Sequence, residues 1–112
     1  MSHKELLDAI DRDQDQLVDF LRRLVRAPSP NPPGDTREAA GLVSAFLEQR
    51  GIGSAIIAPQ ATMPNVVSEF DGGSTGERLV MNGHLDVFPV GDGAGWDRDP
   101  WSGDLEDGCI HG

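Results

Sequence analysis

The chain has 112 residues and one cysteine, so it is one small domain or part of a larger one, without an internal disulfide. With 19 acidic against 9 basic residues the net charge is -10, which argues against nucleic acid or an anionic membrane surface as a partner. Hydrophobic residues make up 38% and tyrosine is missing, so the expected core is modest and aliphatic.

Ser2 and Glu5 have the spacing of a capping box. Behind them Leu6, Leu7, Ile10, Leu17, Leu21, Leu24 and Val25 recur at helical intervals, with an all-polar middle from Asp11 to Gln16. The spacing predicts a helix that ends before Pro28, because proline disfavours helical geometry at Ala27. Residues 28–34, Pro-Ser-Pro-Asn-Pro-Pro-Gly, lack most amide donors and read as a stiff connection. A second helix follows, with Asp35 as its cap, Glu38 in its first turn, an apolar stripe through Ala39, Ala40, Val43, Phe46 and Leu47, and Gly51 turning the chain out.

Short apolar runs come next. Residues 54–58 and 65–70 read as strands, and residues 78–82 as a further strand whose Leu79-Val80-Met81 run is apolar on both faces, as in a strand buried by helices. Residues 89–103 are rich in Gly, Asp and Pro and predict a long surface loop. Residues 105–111 predict a hairpin around Asp107-Gly108. Helix, helix and strands in that order predict an α/β fold. The charged N-terminus is not an apolar signal core, no run is long and apolar enough for a membrane span, and the lone cysteine fits a reducing compartment, so a cytoplasmic location is expected.

The chemistry concentrates at His84 and Asp86. Two residues apart on extended backbone, their side chains share a face, and they follow an expected buried strand, where ligand sites of open α/β sheets lie. Zinc takes a neutral imidazole nitrogen and binds better when a carboxylate or carbonyl holds the other ring N–H. A histidine bonded to a carboxylate for purely structural reasons has the same triplet. His3 reads as solvated, Cys109 as a small hydrophobe, and Trp96 and Trp101 as packing for the long loop.

The string Leu79-Val80-Met81-Asn82-Gly83-His84-Leu85-Asp86-Val87-Phe88-Pro89-Val90-Gly91-Asp92 resembles the first metal-binding signature of the metallopeptidase family of aminoacylases, acetylornithine deacetylases and succinyl-diaminopimelate desuccinylases. Trp96-Asp97-Arg98-Asp99-Pro100-Trp101, residues 105–112, Ser29-Pro30-Asn31-Pro32-Pro33-Gly34 and Asn65-Val66-Val67 resemble further family segments in the same order. The resemblance implies residues 1–112 as the incomplete N-terminal portion of one catalytic domain, two helices followed by strands of a mixed sheet. It implies a fragment of a di-zinc hydrolase of amide bonds in N-acyl amino acids or short peptides, in which cobalt can replace zinc and the full-length protein is a homodimer. His84 would be a ligand of one zinc, and Asp86 the catalytic-site acid that orients it. His111 falls where the family has a hairpin residue and reads as structural. The family's bridging aspartate, its glutamate pair, which includes the general base, a further carboxylate and a late histidine would all lie beyond Gly112, so the chain is expected to be inactive alone. The rival expectation is a stand-alone binding or scaffold module without catalysis.

Overall fold

The computed structural model describes residues 1–112. The chain forms two compact units, Met1–Ala27 with Gly93–Gly112, and Pro28–Asp92.

In the first unit, helix α1 spans His3–Val25. Its capping box is complete: the Glu5 amide donates to Ser2 Oγ at 3.3 Å, and the Ser2 amide to Glu5 Oε2 at 2.6 Å. The Ser2 amide first, and the Ser2 hydroxyl behind it, hold the Glu5 carboxyl below its ordinary range. Arg22 and Arg23 in the last turn oppose the helix dipole. The polar middle stays helical and fully exposed, while Leu6, Leu7, Ile10, Leu17 and Leu21 are only half covered. Strands β3 (Asp104–Glu106) and β4 (Cys109–His111) pair antiparallel, Glu106 opposite Cys109. Asp107 at φ 50 and Gly108 at φ 77 give the two left-handed residues of the expected hairpin turn. The hairpin is tied to α1 where Arg22 Nε donates to Gly103 O and Arg26 Nε to Ser102 O, both at 2.7 Å.

In the second unit, helix α2 spans Arg37–Glu48. Thr36, not Asp35, is its cap, and Thr36 makes no side-chain capping bond. Asp35 acts one position early: its Oδ1 accepts from the Arg37 amide at 3.2 Å in a local turn and from Arg37 Nε at 2.9 Å. The Arg37 side chain beside it lowers the Asp35 carboxyl to about 2. Gly51 at φ 71 ends the helix as expected. Ile52 N–H returns to Leu47 O and Gly51 N–H to Glu48 O, the paired bonds of a glycine-terminated helix. Strands β1 (Ser54–Ile57) and β2 (Asn65–Ser68) pair antiparallel, and α2 packs on both, with Ala39 and Ala40 buried. Ser44 Oγ and Ser54 Oγ, 2.8 Å apart, join helix to strand. The two helices followed by strands match the expected α/β class, and no helix is long and apolar enough to cross a membrane.

One expected element differs. Residues 78–82 form no strand, and Leu79, Val80 and Met81 are 81%, 77% and 78% exposed. A strand requires neighbours for its N–H and C=O groups, and β1 and β2 pair only with each other. The apolar run is therefore unpaired and uncovered.

Gly103 has φ 56, and a Cβ there would lie 2.7 Å from Arg22 O and 3.3 Å from the Arg26 side chain. Gly103→Ala is expected to destabilise the first unit by about 1–3 kcal/mol, read as faster amide exchange across β3 and β4. Unchanged exchange would show that this close approach is dispensable.

Candidate functional site

The site grows from the proline segment. Ser29 precedes Pro30 and Asn31 precedes Pro32, and a residue before proline is driven to extended geometry. An extended stretch can pair as a strand, and Pro30 forms a parallel bridge with Val87. The missing N–H of Pro30 does no harm, because its neighbours carry the bonds. Asn31 N–H donates to Val87 O at 2.9 Å, and Val87 N–H to Ser29 O at 3.1 Å. Ser29 Oγ adds a bond to Leu85 O at 2.7 Å from a buried position. Residues 85–87 are thus fastened at both ends to residues 29–31.

On this clamped stretch the two expected site residues meet. His84 Nδ1 lies 2.8 Å from Asp86 O and 3.2 Å from Asp86 Oδ1. Both facing atoms are acceptors, so in the neutral ring Nδ1 carries the proton and Nε2 the lone pair. The His84 side chain is 83% exposed and that of Asp86 39%. The second carboxylate oxygen, Asp86 Oδ2, accepts from Asn31 Nδ2 at 2.9 Å. The Asn31 amide is the main cause that holds the Asp86 carboxyl below its ordinary range; desolvation opposes it, and the His84 bond contributes less than either. Asn31, His84, Asp86, Val87 and Phe88 line an open hollow of about 270 Å³.

His3, Cys109, His111, Trp96 and Trp101 all belong to the other unit. No group of three or more His, Cys, Asp or Glu side chains is placed to hold a metal ion. The donor set at His84 is one imidazole nitrogen, against the three or four protein ligands of a zinc site. Reading the sequence for metal ligands overlooked Asn31. No local signal marks it, because its place beside Asp86 comes from the long-range pairing of Pro30 with Val87.

No family profile matches the chain. Individual relatives do. A succinyl-diaminopimelate desuccinylase of Gluconacetobacter diazotrophicus is 38% identical over 98 positions, covering 83% of this chain and 24% of the relative. One of Xanthobacter autotrophicus is 36% identical over 92 positions, covering 80% and 24%. An N-formyl-4-amino-5-aminomethyl-2-methylpyrimidine deformylase of Halalkalibacterium halodurans is 29% identical over 112 positions, covering 97% and 26%. These names describe hydrolases that remove an acyl group, succinyl or formyl. The chain belongs to the peptidase family that contains the succinyl-diaminopimelate desuccinylases. It spans about a quarter of the length of the curated relatives it matches.

A carboxyl lowered by folding contributes stability above its unfolded pKa, and that contribution is lost as pH falls through the lowered value. Carbon-detected titration of the side chains is expected to place Asp86 below its ordinary range. Asn31→Ala should move it upward. An Asp86 midpoint indifferent to Asn31→Ala would contradict the bond as the main cause.

Proposed function

We propose that this chain is the N-terminal part of a zinc-dependent hydrolase that cleaves the amide bond of N-acyl amino acids or short peptides, and that it is inactive alone. The observation that carries this reading is the His84–Asp86 pair, with Nδ1 held by Asp86 and the His84 side chain 83% exposed. Membership of a family whose relatives are named desuccinylases and a deformylase supports the reaction class.

His84 would give its Nε2 lone pair to one metal ion. Asp86 and its own carbonyl would keep the ring in the required tautomer and orientation, the part that carboxylates and carbonyls play behind metal-bound histidines. A bound zinc supplies a water of lowered pKa and positive charge for the developing oxyanion. The remaining ligands and the general base would come from sequence outside these residues, because one imidazole does not hold zinc. A second ion, cobalt in place of zinc, a cytoplasmic location and a homodimer belong to the same reading.

The test uses the protein encoded by the complete source gene, loaded with zinc and assayed for release of amino acids from N-acetyl and N-succinyl derivatives. His84→Ala should lower kcat/KM by at least about a hundredfold and reduce bound zinc. Retention of both zinc and activity in His84→Ala would sink the assignment. Cooperative unfolding of the 112-residue chain without metal, together with a full-length protein that hydrolyses none of these substrates, would identify a binding or scaffold module instead.

A further inference from the structure

We propose that Asn31 is a positioning residue for the metal-ligating histidine, acting through Asp86. This rests on the reading of His84 as a metal ligand and extends it by one residue outward. Asp86 must do two things at once. It has to point one oxygen at His84 Nδ1, and it has to keep its charge. On a side chain 39% exposed to water, a carboxylate held by one long contact of 3.2 Å can rotate into solvent. The Asn31 amide stops that rotation by donating to the opposite oxygen at 2.9 Å.

The chemistry of asparagine suits the task. Its Nδ2 is a donor, so toward a carboxylate it has a definite role. It is neutral, so it fixes Asp86 without cancelling the negative charge that His84 uses. Arginine or lysine there would fix and cancel together. The amide is also well founded. Asn31 N–H is bonded to Val87 O, one residue from Asp86, so backbone pairing sets the distance between the two side chains. The same backbone contact places Asn31 in the wall of the hollow beside His84 and Asp86.

The experiment uses the zinc-loaded protein from the complete source gene. Zinc affinity is measured by chelator competition, and the thermal midpoint is followed alongside. Asp86→Ala should weaken zinc by about 10- to 100-fold, the usual effect of losing a partner behind a metal ligand. Asn31→Ala should weaken it by about 3- to 10-fold. Asn31→Asp keeps the shape and replaces the donor with a second carboxylate, and should weaken it more. On an Asp86→Ala background neither Asn31 change should have a further effect beyond about twofold, because residues acting through one another are not additive. A loss that persists at full size on that background overturns the proposal, since Asn31 would then act on general structure. Unchanged affinity in Asn31→Ala beside a clear loss in Asp86→Ala overturns the role of Asn31 and leaves His84 and Asp86 standing. Unchanged affinity in Asp86→Ala and His84→Ala overturns the underlying reading and its extension together. Nitrogen-15 shifts of the His84 ring in the metal-free protein give a readout independent of zinc. The Nδ1–H form should predominate in the parent and fall in Asn31→Ala, and an unchanged tautomer ratio overturns the proposal.

Discussion

The pairing of Ser29 and Asn31 with Val87 is the constraint on which the site depends. Proline is a poor strand residue because it cannot donate to a ladder. In a parallel bridge, however, the central residue of one side needs no N–H, since its two neighbours make the bonds. Pro30 occupies that central place opposite Val87. The prolines on either side of Asn31 also bias Ser29 and Asn31 toward extended backbone before any pairing occurs. A segment whose composition forbids helix is therefore well prepared for one short strand-like contact. Three hydrogen bonds to residues 85–87 result.

That contact explains how much of the site was legible. His84 and Asp86 could be paired from sequence because extended backbone places residues two apart on one face, and no tertiary information is needed for that. Asn31 required knowledge that a segment more than 50 residues upstream lies beside them, and no local pattern encodes it. Its side-chain bond to Asp86 is a consequence of backbone pairing, not of sequence proximity.

The same division holds for the fold. The Ser2 cap, the Gly51 helix end and the Asp107-Gly108 turn were readable because each is decided within a few residues. Asp35 missed its role by one position, since an aspartate can satisfy an amide two residues on as readily as cap a helix. The largest departure was Leu79-Val80-Met81. Its composition states correctly that both faces want burial, but burial is supplied by other elements, and β1 and β2 are engaged with each other.

His84 sits at the junction between these two regimes. On its N-terminal side the chain has no ladder, while on its C-terminal side Leu85 and Val87 are fastened to Ser29 and Asn31. The orientation of the ring therefore comes from the C-terminal side alone, through Asp86 O and Asp86 Oδ1. Ordering a side chain ahead of binding lowers the entropy that the binding step must remove. A single imidazole gains little from this by itself, because zinc is held by several ligands at once. The advantage belongs to a site in which His84 is one donor among several, each needing to present a lone pair at a fixed point. The clamp from residues 29–31 meets that requirement with contacts carried entirely within the second unit. On the proposed reading of His84 as a metal ligand, one corner of such a centre would be set by this chain's own backbone pairing.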